Sequence, residues 1–322
     1  MLIYMILSYI LTILSMLLFS LNSVFVKKIN LSLVHKLFIT FLILVSFSLI
    51  TIKFINPSQD FKLFDMKTCL ISGSYFLQVV FLFIAYTTLP VSISLPLMTG
   101  AAVIFFDVFN IIINKAKLTV AEWILNVVTI IGIVLISYAK NTGLNKYFLL
   151  GIISSLLWSV LDPVNMILTE KYANDDKSNS KKDDTKNMST FKKQLLTSSL
   201  EIFNLNKVGL PILTLLIIVL STYKFSNVPS TLFHKENLTS KEIGTFIFYQ
   251  ILTYYPAFPA AYYGLNTLND SVFGILSTLT IPFGIIMGKV FFNETVGLRK
   301  IIGGIIIMIG VIMKTYLLDK TK

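Results

Sequence analysis

Residues 68–113 read TCLISGSYFLQVVFLFIAYTTLPVSISLPLMTGAAVIFFDVFNIII. Two apolar runs, 68–88 and 91–113, meet at the short turn Leu89-Pro90, and Asp107 is the one charged residue in the stretch. Each run has the ~20 residues a helix needs to cross a hydrocarbon core ~30 Å thick. In lipid every backbone N–H and C=O must be bonded internally, so each run is a helix unless the fold is a closed barrel. The apolar residues are continuous rather than alternating over ~10-residue segments, which argues against a barrel.

Working outward, the same kind of segment recurs along the chain. The first five run over 3–26, 34–54, 68–88, 91–113 and 121–139. The second five run over 147–169, 207–223, 243–265, 270–292 and 298–318. Composition agrees: 55% of the 322 residues are hydrophobic and 13% are charged, and mean hydropathy is +0.79. Soluble domains carry roughly 25% charged residues. The expected fold class is an all-α membrane protein of about ten transmembrane helices. The N-terminus is apolar from Leu2 with no basic n-region, so it reads as a first span rather than a cleaved signal. Cys69 is the single cysteine, which rules out an internal disulfide.

The net charge of +11 does not point to nucleic acid. The basic residues sit mostly in short loops and one insert, where membrane proteins keep charge for topology. Arg299 is the only arginine, whereas base readout relies on arginine. The insert contains Asn174–Met188 (NDDKSNSKKDDTKNM), which has almost nothing to bury and reads as disordered. Beyond it Phe191, Leu195, Leu196, Leu200 and Phe203 recur at helical spacing beside Lys192 and Lys193. That pattern fits either a short helix on the membrane surface or a flexible linker. The expected division is a first five-helix repeat over 1–140, a mostly disordered hydrophilic insert over 170–206, and a second five-helix repeat from 147–169 and 207–318.

The halves can be laid on one another. Thr87-Thr88-Leu89-Pro90-Val91-Ser92 aligns with Asn266-Thr267-Leu268-Asn269-Asp270-Ser271, Leu97 with Leu276, Thr99 with Thr278 and Asn114 with Asn293. After a one-residue gap, Ile131-Gly132-Ile133-Val134 meets Ile309-Gly310-Val311-Ile312. An odd number of spans per half makes the second half enter from the opposite side, giving two inverted five-helix repeats. Such repeats are a device of secondary transporters, with a midplane site between the halves. Counting Lys and Arg over the loops, insert included, leans towards both termini inside.

These residues resemble the drug/metabolite transporter superfamily, in particular its repeated EamA-type domain. The resemblance rests on Phe19-Ser20-Leu21-Asn22 with Lys27-Lys28 in the first span and Leu157-Trp158-Ser159 at the start of the second half. It also rests on Pro282 followed by Glu294, and on Gly303, Gly304, Gly310 and Val311 in the last span. Lys115 stands where the first repeat usually has Glu, and Asp162-Pro163 is unusual in its helix. The resemblance implies a carrier for amino acids or drugs, or an exchanger of nucleotide sugars.

Polar residues inside a membrane are costly, so each is a candidate for function. Span one places Tyr4, Ser8, Ser15 and Asn22 on one face, as a cavity lining or as interhelical glue. Span four places Asp107 and Asn110 beside Pro96 and Gly100. Asp107, the deepest carboxylate, fits a proton or cation site or a structural partner of Lys289. Span six offers Ser155, Trp158, Asp162 and Asn165. Span eight has Tyr254 and Tyr255 with Pro256 and Pro259, which suggests a broken cavity wall. Ser277, Thr278 and Lys289 follow in span nine. No HExxH, P-loop or GxSxG is present, and no His/Cys cluster suits a metal, so neither enzyme activity nor a cofactor is expected. The expected partners are the lipid bilayer, a small-molecule solute, and a coupling proton or counter-substrate. The function expected is alternating-access transport of a small organic solute. The alternatives are a nucleotide-sugar or nucleotide antiporter and a non-transporting membrane scaffold.

Overall fold

The computed structural model describes residues 2–59, 66–115, 117–138, 146–177, 190–222 and 239–321. These are helical almost throughout. The elements are α1 (Leu2–Lys28), α2 (Leu33–Ile55), α3 (Met66–Thr88), α4 (Val91–Asn114), α5 (Val120–Ser137) and α6 (Lys146–Lys177). There follow α7 (Thr190–Asn206), α8 (Gly209–Thr222), α9 (Ser240–Tyr249), a π-helical turn over Gln250–Tyr254, and α10 (Tyr255–Thr267). The chain ends with α11 (Asp270–Ser277), α12 (Thr280–Phe292) and α13 (Leu298–Thr321). Among the described residues nine stretches are long and apolar enough to cross a bilayer, with Lys192–Val219 and Val272–Phe292 each counted as one. The segment from α9 through the π turn to α10 is helical over a similar length, which brings the number of helices that could cross to nine or ten. The protein is a multi-pass integral membrane protein.

The outer surface is more apolar than much of the interior, the reverse of a soluble fold. In α5, Trp123, Ile124, Val127, Ile130, Ile131 and Val134 face outward, while Asn126, Thr129 and Gly132 are buried. Lipid tails attract apolar side chains as well as a protein core does, so helices here associate through close contact and hydrogen bonds. The α5–α13 seam shows the first. A Cβ added to Gly132 would lie 2.8 Å from the Gly303 carbonyl oxygen and 2.7 Å from Ile307, and one on Gly303 would lie 2.8 Å from the Gly132 oxygen. The buried Ser and Thr side chains show the second. Many return their hydroxyl to their own helix, as Thr12 does to Ser8 O at 2.7 Å and Ser48 to Leu44 O at 2.6 Å.

Residues 190–206 correct the expected insert. They form α7, which packs on α2, α3 and α10 and buries Leu196, Ile202 and Phe203. The spacing read as a surface helix or a linker is the first half of the seventh crossing, and Lys192 and Lys193 mark its exposed end. Residues 178–189, which include most of the stretch read as disordered, lie outside the described residues.

Three successive crossings of the second half are interrupted, each for a definable reason. Between α7 and α8 the helix breaks at Lys207–Val208, and Ser72 of α3 bridges the gap. Its Oγ donates to Leu205 O at 2.8 Å and accepts from Val208 N at 3.1 Å. In the eighth crossing Pro256 can neither donate to Leu252 nor fit against its carbonyl. The chain widens into the π turn just before it, with Tyr255 N bonding Gln250 O. In the ninth, Pro282 excludes the same bond to Thr278, and the helix breaks at Thr278–Leu279. The long helices α4 and α12 both end on a residue in the left-handed region, Lys115 at φ 52° and Asn293 at φ 50°. The aligned pair is therefore Lys115 with Asn293, one residue off the register drawn from the sequence.

A candidate solute chamber and its closures

The described polar residues converge between α3, α6, α7 and α10. Gln78 of α3 donates through Nε2 to Asp162 Oδ1 at 2.7 Å, and accepts at Oε1 from Asn165 Nδ2 at 2.6 Å. One amide of α3 thus holds two side chains a turn apart on α6. Tyr75, one turn before Gln78, lies close to Tyr254 and within electrostatic reach of Asp162. Tyr262 of α10 interacts with Asp162 and with Glu201 of α7. Tyr75, Asp162, Glu201 and Tyr262 are partly buried, each well inside its helix. Trp158 stands one turn before Asp162 and packs on the main apolar cluster.

A second polar pair flanks this space. Asn22 of α1 accepts from Gln250 Nε2 of the π turn at 2.8 Å, both side chains being fully buried. The wider backbone turn is what sets Gln250 towards α1. The tyrosines beyond it diverge. Tyr254 lies edge-on to Phe19, Phe258 and Phe83. Tyr255 turns to α2, where its hydroxyl meets Thr51 Oγ1 at 2.9 Å.

The other sequence-derived candidates lie elsewhere. Asp107 forms a buried ion pair with Lys314 of α13, not with Lys289. Asn126 of α5 donates to Asp107 at 2.6 Å and accepts from Lys314 at 3.2 Å, so α4, α5 and α13 are tied together. Asn110 sits half-buried a turn further along α4. Ser15 is fully buried and donates to Thr12 O at 2.7 Å, and Ser8 meets Thr267 of α10 at 2.7 Å, so this stripe is the α1–α10 seam. The side chain of Tyr4 lies outside the described residues. Ser277 and Thr278 bond carbonyls of α11 beside the helix break. Lys289 is exposed, with Nζ 3.4 Å from Asn293 Oδ1, and brings no cation to the chamber.

At one end of the bundle Glu294 closes the two halves on each other. Its carboxylate accepts from Val91 N at 2.8 Å, Ser92 N at 3.1 Å and Ser92 Oγ at 2.5 Å, capping α4 from the far half of the chain. Lys27 of α1 lies 3.4 Å from the same carboxylate and donates to Leu89 O at 2.8 Å, while Lys300 donates to Ser92 Oγ at 3.0 Å. Burial pushes the Glu294 carboxyl up. The Ser92 hydroxyl and N–H, the Lys27 charge and the Val91 N–H outweigh this and hold it below the ordinary glutamate value. Gly288 makes room: a Cβ there would stand 2.5 Å from Glu294 Oε2.

A known family is matched over the segment from α7 to α13, which carries Glu201, Gln250, Tyr262 and Glu294 but none of Tyr75, Gln78, Asp162 and Asn165. Residues 195–316 match the EamA-like transporter family, within the drug/metabolite transporter superfamily. A solved crystal structure, described only as that of a protein, aligns over 98% of this chain and 97% of its own with a TM-score of 0.53 and 12% identity. At that identity the likeness shows the fold alone. No curated protein matches the chain.

Glu201, Tyr262, Gln250 and Glu294 all fall within the EamA-like region, while Tyr75 and Gln78 lie in the first half. Gln78 was findable, as the one glutamine inside span three. Glu201 was not, because it sits in a stretch whose lysines and serines made it look external. Lys314 falls inside the last apolar run without standing out from it, and only the turn of α13 onto α4 and α5 gives it a role.

Proposed function

We propose that this chain is a secondary transporter that moves a small organic solute by alternating access, with two inverted five-helix repeats rocking around the Tyr75–Gln78–Asp162–Asn165 chamber. One arrangement supports the reading: polar groups of α3, α6, α7 and α10, several of them only partly buried, interact with one another inside an apolar bundle. Buried polar groups in lipid are costly unless they serve something. The interrupted seventh, eighth and ninth crossings support it, because broken helices in transporters flank the solute site and can bend there. The Glu294 contacts fasten one end shut, as a carrier closed on that side requires. A carrier for anions such as nucleotide sugars fits poorly, since carboxylates rather than lysines border the chamber.

The test is exchange in liposomes holding the purified chain and loaded with radiolabelled amines, amino acids or nucleotide sugars. At least one class should accumulate by counterflow, and Gln78→Ala should slow it several-fold. Thiol labelling supplies the second arm. In a Cys69→Ser background, a cysteine at Tyr75 should be reached from either side of the membrane, never from both at once. Simultaneous access from both faces would make the protein a channel or a scaffold.

A further inference from the structure

We infer that the chamber selects a protonated amine on an apolar or aromatic body, a substrate class resting on the transporter reading above. Asp162 and Glu201 both lie within electrostatic reach of Tyr262. Among the described residues neither forms an ion pair, and the Gln78 amide is the hydrogen-bond partner found for Asp162. The nearby bundle cations are otherwise engaged. Lys27 and Lys300 serve the Glu294 closure, Lys314 pairs with Asp107, and Lys36 donates to Val26 O at 2.6 Å. Lys207 reaches Asn204 Oδ1 at 3.2 Å and lies over the Phe203 ring.

A second observation comes from the neutral groups. Asn165 is 6% exposed, and its Nδ2 is spent on Gln78, yet its Oδ1 has no partner. Gln250 Oε1 is likewise buried and open, its Nε2 being spent on Asn22. Against these, Asn22 Nδ2 is one open donor, so the two amide oxygens and the Asp162 and Glu201 carboxylates leave acceptors in excess of donors. An ammonium group carries three N–H donors and no acceptor, so it complements this surplus where a hydroxyl or a carboxylate cannot. Its charge meets carboxylates in a medium of low dielectric, and the rings of Tyr75, Tyr254, Tyr262 and Trp158 suit the body of such a ligand and add attraction for a cation.

The experiment compares three matched probes, 2-phenylethylamine, 2-phenylethanol and 3-phenylpropionate, on the full chain in nanodiscs by calorimetry. The amine should bind at least tenfold more tightly than the alcohol, and the carboxylate should bind worst. Asp162→Asn should remove most of the amine preference, weakening amine binding far more than alcohol binding, and Glu201→Gln should shift the preference in the same direction. Equal binding of alcohol and amine, preference for the carboxylate, or no amine binding at millimolar concentration would overturn the inference. If Asp162→Asn does not fold, the three probes on the unaltered chain still decide. Amine that binds but never exchanges across liposomes supports the chamber's selectivity while overturning transport. Counterflow of anions but not amines keeps transport and overturns the amine.

Discussion

Lys314 and Asp107 form a charge pair that the membrane interior tolerates because Asn126 and the Val103 carbonyl share the remaining donors and acceptors. Removing one member leaves the other charged and alone, which in buried pairs costs about 3–5 kcal/mol. Lys314→Met should therefore lower the thermal midpoint in detergent strongly, and the double variant Lys314→Met with Asp107→Leu should recover much of the loss. A double variant no better than the single one would show that the pair is not a closed unit. Glu294 predicts a pH effect. Its folded carboxyl titrates below the unfolded value of about 4.3, so its stabilisation is present above that pH and fades as pH falls through the folded value. Thermal midpoints of the wild type should drop more steeply below about pH 4 than those of Glu294→Gln. Parallel curves would mean the carboxylate is not what holds α4. Residue roles of this kind were only partly legible: Asp107 declared itself as a lone acid in an apolar run, but its partner lay over two hundred residues away on a helix whose rotation the sequence does not specify.

At the scale of elements, helix existence was almost fully legible, because bilayer thickness sets a length that apolar runs must match. Span nine, read as 270–292, coincides with Asp270–Phe292, interrupted only at Thr278–Leu279. The prolines also announced trouble in span eight, though not its form: a π turn depends on how the freed carbonyls are accommodated by neighbours. Pro256→Ala restores a donor, so the widened turn loses its cause. The expected outcome is a more stable protein with slower exchange, because Gln250 would rotate away from Asn22. Faster exchange, or an unchanged Gln250–Asn22 bond in a structure of the variant, would count against this account. In the α5–α13 seam, Gly132→Val should separate the two backbones and abolish a monodisperse peak on size-exclusion chromatography. Gly73, with open space around its would-be Cβ, should accept alanine without harm.

For the whole molecule, the sequence conveyed the approximate count of crossings. It failed at residues 190–206, where amphipathic composition hid a helix that packs on three others. Serines and lysines look external by composition, yet in a membrane bundle the interior is the polar side. The topology is open to a direct check. Cysteines placed singly at Lys28 and Gly297, in a Cys69→Ser background, should be labelled from one face of the membrane, and those at Lys117 and Asp319 from the other. Labelling of Lys28 and Gly297 from opposite faces would dismantle the inverted arrangement and the carrier with it.

The glycine contact between α5 and α13 also bears on how this protein can change over time. Every other amino acid carries a Cβ, so at Gly132 and Gly303 no mutational step, however conservative, leaves the fit intact. Drift at either site must wait for a compensating shift across the seam, whereas the lipid-facing isoleucines a few ångströms away are free to wander among their apolar neighbours.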